Sequence, residues 1–138
     1  MKPLEHPFMQ KLLSLQLPPG DYVVAGSGPL LAHGLKEDIS DLDVVARGRA
    51  WEMVTRLGRT STPPSGVGKM VLLFGGEIEV FDAWLPGVCD TSTLIDEAEV
   101  IQGIPFSPLA RVLDWKRQSN RPKDRIDVDL IMRSFAKE

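Results

Sequence analysis

Residues 21–47 read DYVVAGSGPLLAHGLKEDISDLDVVAR. Tyr22 to Ala25 form a short apolar, β-branched run that suits a buried strand. Gly26-Ser27-Gly28 follows as a turn, and Pro29 stands where the first residue of a helix would have its φ fixed. Leu30 to Ala32 continue that helix, and Gly34 can end it. Asp41-Leu42-Asp43-Val44 then alternates, so on a strand both carboxylates point to one face. Strand, glycine turn, helix and acidic strand together predict an α/β unit.

The residue types carry chemistry as well as structure. Two adjacent carboxylates repel and are costly to bury unpaired, so a cation is expected between them. Mg²⁺ with oxygen ligands is the natural candidate. The Gly26-Ser27-Gly28 turn offers backbone N–H groups and a hydroxyl to an anion. A phosphate seat beside a metal seat suits a metal–nucleoside triphosphate.

The pattern Ala25-Gly26-Ser27, thirteen residues, then Asp41-Leu42-Asp43-Val44 resembles the nucleotidyltransferase superfamily that includes DNA polymerase beta. More narrowly, it resembles the minimal nucleotidyltransferase-like proteins of prokaryotes, including toxin-like members of toxin–antitoxin pairs. Each half is common turn or loop chemistry by itself; order and spacing make the pair more specific. The resemblance implies a nucleotidyltransferase fold over residues 1–138 as one domain, of α/β (α+β) class. It also implies transfer of a nucleoside monophosphate from a nucleoside triphosphate to an acceptor hydroxyl, by a two-metal mechanism with Mg²⁺ or Mn²⁺. Asp41 and Asp43 would be metal ligands, and Gly26 and Ser27 would seat the phosphates.

The remaining chain supplies the other candidates. Residues 6–16 read as an amphipathic helix, and residues 50–57 as a second closed by Gly58. Residues 59–68 are a loop by composition, able to close over a substrate or to lie slack. Strands are expected at 70–74 and 77–83, joined by a turn at Gly75-Gly76. With 22–25 and 42–46 they would make a small mixed sheet with helices packed mainly on one side. On the returning strand Glu77, Glu79 and Phe81 share one face and Ile78, Val80 and Asp82 the other. A carboxylate at 82 is out of place on an apolar face. It is either a turn residue at the strand's end or, as the resemblance implies, the third catalytic and metal-binding carboxylate.

A short helix is expected at 91–98 and a strand broken at Gly103 within 99–106. Ser107-Pro108 reads as a helix start with serine as N-cap. Leu109, Val112, Leu113 and Lys116 then share a helical face. Lys116 there is either a snorkelling lysine or an ammonium aimed at phosphate. Arg121-Pro122-Lys123-Asp124 breaks this helix and starts the last one, which Asp124 could cap. Lys116, Arg121, Lys123, Asp124 and Asp127 resemble a C-terminal signature of nucleotidyltransferase-like toxins, so Lys116, Arg121 and Lys123 are candidates for nucleotide binding. Local ion pairs in a helix hairpin are the plainer reading.

Composition sets the bounds. A chain of 138 residues favours one domain, with 43% hydrophobic and 25% charged residues as in ordinary globular proteins. The net charge of -3 gives no bulk attraction to nucleic acid. Cys89 is the only cysteine, so no intrachain disulfide forms. His6 and His33 are too few for a zinc site and read as exposed or core-edge residues. No run reaches the ~20 apolar residues of a membrane helix, and the N-terminus lacks a signal-peptide core. A cytoplasmic location and no membrane partner are expected. The acceptor stays open among tRNA, a protein and a small molecule, and a partner protein is compatible with a toxin-like role. The alternative is a non-catalytic relative that binds a nucleotide or a partner protein.

Overall fold

The computed structural model describes residues 3–84 and 90–137, so Cys89 lies outside the described residues. In chain order it has α1 (Pro7–Ser14), β1 (Tyr22–Ala25), α2 (Gly28–Ala32), β2 (Leu42–Ala46) and α3 (Gly48–Leu57). Then come β3 (Thr60–Ser61), β4 (Met70–Leu73), β5 (Ile78–Phe81), α4 (Thr91–Asp96), β6 (Glu99–Ile101) and β7 (Ile104–Phe106). The chain closes with α5 (Leu109–Ser119) and α6 (Pro122–Ala136).

The strands form one seven-stranded sheet in the order β3-β4-β5-β2-β1-β7-β6. The four expected strands are its centre and one flank. The rest is β3, a two-residue strand within the expected loop, and the β6–β7 hairpin, the two halves of the strand expected to break at Gly103. The sheet is mixed: β1 runs antiparallel to β2 but parallel to β7, and β2 runs parallel to β5. The turn joining β4 to β5 includes a 3-10 segment, Phe74–Gly76.

Alternation along the central strands sorts two faces. Val24, Val44, Ala46, Ile78 and Val80 pack with Met9 and Leu12 of α1 and with Ala50 and Val54 of α3. Ile78, fully buried, contributes about 1.5–3 kcal/mol by leaving water. On the opposite face Val23, Ala25 and Val45 meet Leu94 and Ile95 of α4. Helices therefore cover both faces, unequally. A third cluster joins Leu30 of α2 to Leu109, Val112 and Leu113 of α5 and Ile131 of α6. It holds the α5–α6 hairpin against the turn after β1.

The helix ends show why local signals succeed or fail. His6 caps α1: its Nδ1 accepts the Phe8 N–H at 3.1 Å, and Nε2 lies 2.8 Å from Asp38 Oδ1. That makes His6 a buried capping residue. The N-cap of α5 is Pro108, not Ser107: the Ser107 N–H donates to the Val24 carbonyl at 2.9 Å, and its buried hydroxyl makes no capping hydrogen bond. The N-cap of α6 is Arg121, with Asp124 one turn inside accepting the Arg121 N–H at 3.1 Å. Asn120, in the left-handed region at φ 50°, ends α5 and sends its N–H to the Lys116 carbonyl at 2.9 Å. No helix among the described residues is long and apolar enough to cross a membrane.

Candidate metal and anion site

Three strands meet at the site. Ala25 at the end of β1 pairs with Asp43 near the start of β2, and Asp43 pairs with Glu79 in β5. Asp43 and Glu79 continue the row of side chains that α4 covers further along the face. Asp41 lies just before β2. Carboxylate oxygens of Asp41, Asp43 and Glu79 lie within 4.8 Å of one another, all three residues half-buried.

Burial pushes the Asp43 carboxyl well above its ordinary range. Its hydrogen bond to Glu79 and the charges of Asp41 and Glu79 add to this, and Lys116 partly offsets it. Three carboxylates this close are an all-oxygen donor set that can coordinate a divalent cation. A cation there would remove the repulsion that raises Asp43.

The turn before α2 is built around that carboxylate. Gly26 has φ +60° and lies against the Asp43 side chain. Ser27 makes no capping hydrogen bond to its own helix. Its hydroxyl instead donates to Asp127 Oδ2 at 2.7 Å and accepts from Lys116 Nζ at 3.0 Å. Lys116 Nζ also lies 2.9 Å from Asp127 Oδ2 and 3.6 Å from Asp124 Oδ1. Lys36 Nζ reaches Asp127 Oδ1 at 2.9 Å. Lys116, Asp124 and Asp127 are all buried. Lys116 is thus turned inward, toward Ser27 and the acids of α6, not out to solvent.

Arg121 grips Asp124 through two side-chain bonds, Nε at 2.7 Å and a terminal nitrogen at 3.1 Å. Burial alone would raise the Asp124 carboxyl, but bonds from Arg121 and Ser119 and the charge of Lys116 hold it at about 2. Lys123 makes no ion pair among the described residues.

Two cavities flank the carboxylates. The first, about 450 Å³, is lined by Ser27, Lys36, Asp41, Asp43, Lys116, Arg121, Lys123 and Asp127 among others. The second, about 260 Å³, shares Asp41, Asp43, Trp115, Arg121 and Lys123 with the first and adds Glu79, Phe81, Trp84 and the loop residues Pro63, Pro64 and Ser65.

The chain matches no family model, no curated protein and no solved structure. The site therefore rests on its own geometry. That geometry gathers Ser27, Asp41, Asp43, Lys116, Arg121 and Lys123 around one cavity, with Gly26 against Asp43.

Asp82 is not in the carboxylate cluster. It lies just past the end of β5, and its Oδ1 accepts the Lys69 N–H at 2.8 Å. Gly68, at φ +65°, is packed so closely that a Cβ would lie 2.4 Å from Asp82 Oδ1. Asp82 ties down the end of the loop 59–68, which accounts for a carboxylate on the apolar alternation. The third carboxylate of the cluster is Glu79. The sequence reading put it on the polar face and passed over it; an acid two residues before Phe81, in register with Asp43, is the signal that a parallel β2–β5 pairing would have exposed. Lys36 was also passed over, because it sits in the loop after α2 with no motif to mark it.

Proposed function

We propose that this protein is a metal-dependent nucleotidyltransferase of the fold its sequence resembles. The observation that carries the reading is the Asp41–Asp43–Glu79 cluster, set against a cavity lined by Ser27, Lys36, Lys116, Arg121 and Lys123. Acids for a metal and cations for phosphates on adjoining walls are what a metal–nucleoside triphosphate requires.

Asp41, Asp43 and Glu79 would hold Mg²⁺ or Mn²⁺, which when bound neutralises phosphate charge and polarises the α-phosphate. Gly26 leaves room for Asp43, and the β- and γ-phosphates would lie in the first cavity against Ser27 and the positive charge of Lys116. Arg121 and Lys123, at the mouth of both cavities, balance the charge of the departing pyrophosphate. Glu79 lines only the second cavity, so that side faces the acceptor. As the acceptor hydroxyl oxygen bonds to the α-phosphorus, its proton passes to Glu79 and the bond to pyrophosphate breaks. The acceptor hydroxyl belongs to an RNA, a protein or a small molecule.

The test is transfer of label from each α-³²P nucleoside triphosphate to total tRNA and to cell lysate, with Mg²⁺ or Mn²⁺, beside calorimetric binding of the same nucleotides. Transfer that disappears in Asp41→Asn/Asp43→Asn is the expected result. Metal-dependent binding without transfer to any acceptor would favour the non-catalytic reading. Absence of binding would overturn both.

A further inference from the structure

The second cavity has walls of a different kind from the first. Phe81, Trp84, Trp115, Pro63 and Pro64 line it together with Asp41, Asp43, Glu79, Arg121 and Lys123. The Phe81 and Trp84 ring centroids are 5.3 Å apart with planes at 76°. Those of Trp84 and Trp115 are 5.2 Å apart with planes at 35°. Neither pair is stacked face to face.

The Trp115 ring is already engaged. Lys116 Nζ lies 5.3 Å from its centroid, and the Arg121 guanidinium carbon 5.5 Å. No cation contacts the Trp84 ring among the described residues, and that residue is half-buried at the cavity wall. The loop that carries Pro63 and Pro64 is tethered at its end. Proline fixes its own backbone, and the loop is fastened by the Lys69 N–H to Asp82 and by Lys69 Nζ to Thr62 Oγ1 at 3.3 Å. The volume of about 260 Å³ falls short of the ~300–1,000 Å³ of a pocket for a whole drug-sized ligand, which suits a single ring system.

We propose that this cavity is a nucleobase-stacking subsite, in which Trp84 and Phe81 receive a flat heteroaromatic ring whose sugar and phosphate lie toward Asp41, Asp43 and Arg121. The inference deepens the nucleotidyltransferase reading and rests on it. An acyl chain or other wholly apolar ligand would leave Arg121, Lys123 and the carboxylates unmatched, whereas a nucleotide presents both a ring and an anion to the mixed lining. The ring comes either from the donor nucleotide or from the terminal base of an oligonucleotide acceptor.

The experiment is calorimetric titration of the full chain with Mg²⁺, using inorganic tripolyphosphate, each of the four nucleoside triphosphates, and a short oligoribonucleotide with a free 3′-hydroxyl. The same titrations are run on Trp84→Leu, Trp84→Phe and Phe81→Leu. Stacking on one aromatic side chain is worth roughly ten-fold in affinity. Trp84→Leu should therefore weaken a base-bearing ligand by about that factor, leave tripolyphosphate unchanged, and be largely rescued by Trp84→Phe. Weakening of the nucleoside triphosphates assigns the subsite to the donor base; weakening of the oligonucleotide alone assigns it to the acceptor. Because Trp84 also packs against the Val23–Val45 cluster, Phe81→Leu provides an independent check and should weaken the same ligand. If tripolyphosphate and nucleotides bind but none of the variants discriminates between them, the base subsite is wrong and the transferase reading stands. If tripolyphosphate and nucleotides both fail to bind the unmodified protein, the two fall together.

Discussion

Gly26 and Asp43 occupy nearly the same space: a Cβ on Gly26 would lie 2.3 Å from Asp43 Oδ2 and 3.1 Å from Asp43 Cγ. The turn at the end of β1 and the central acid of β2 are therefore one unit. Gly26 also has φ +60°, which a side chain adopts at a cost of about 1–3 kcal/mol. Gly26→Ala should destabilise by more than that strain alone and should displace Asp43, weakening metal binding. Gly75→Ala is the control, since Gly75 has φ +67° but open space around it. Equal losses in denaturant titrations of the two variants, with metal affinity intact, would refute the coupling.

Exchanging the two candidate third acids should give opposite results. Glu79→Gln removes a ligand from the cluster and should weaken divalent-metal binding at least ~10-fold, the equivalent of ~1.4 kcal/mol. Asp82→Asn should leave metal affinity within a factor of about two to three, a few tenths of a kcal/mol. It should instead loosen the loop, visible as faster amide exchange at Lys69. Loss of metal binding in Asp82→Asn would restore that residue to the site.

Asp43 sets a pH dependence of unusual sign. Its folded carboxyl titrates above its unfolded value. The native state thus holds a proton that the unfolded chain has released. This contribution to stability is present at low pH. It is lost as pH rises from about 4, the unfolded value, through the raised one. Asp43→Asn should make the metal-free protein more stable at neutral pH, by on the order of 1 kcal/mol, while removing the protection that Mg²⁺ gives. A variant that melts lower than the parent without metal would contradict this.

Asp124 behaves in the usual direction. Its folded value of about 2 lies below the unfolded ~3.9, so its contribution is present above pH ~4 and fades as pH falls toward 2. Arg121→Ala removes the pair of side-chain bonds and should move the acid-unfolding midpoint upward. Circular dichroism against pH reads this directly; an unmoved midpoint would mean that the backbone N–H and Lys116 suffice.

The Lys116–Asp127 pair is buried on both sides. Removing one partner leaves an uncompensated charge, typically at a cost of about 3–5 kcal/mol. Lys116→Met should fall in that range, moderated by Lys36 and Ser27, which still contact Asp127. Lys116→Met/Asp127→Leu should recover part of the loss. Additive losses in urea unfolding would mean that the two side chains are energetically independent.

Much of this was legible where the determinants are local. The run Tyr22–Ala25, the glycine turn and the Asp41–Asp43 alternation gave β1, α2 and β2 close to their observed limits. The Leu109–Val112–Leu113 face leaves Lys116 either snorkelling or turned inward; the structure turns it inward, onto Ser27, Asp124 and Asp127. What escaped depends on pairing between distant segments. Glu79 joins the acids only because β5 lies parallel to β2. Ser107 has serine-proline helix-start chemistry, but its N–H pairs with Val24 of a distant strand and its hydroxyl does not reach the helix. Asp82 stands out on the apolar alternation, but it lies outside the Asp41–Asp43–Glu79 cluster and accepts the N–H of Lys69, which carries no sequence signal.

The pairing of Asp43 with Glu79 has a consequence for quality control during folding. Side chains alternate between faces along a strand. If β5 slid one residue against β2, Glu79 would be replaced opposite Asp43 by Ile78 or Val80, both of which are fully buried on the other face. A misaligned sheet would therefore bury an acid among α1 and α3 and dismantle the cluster in the same event. Only the correct alignment gathers the three carboxylates, so with the metal role proposed above, adding a divalent ion during refolding should selectively stabilise the properly assembled population and raise its yield.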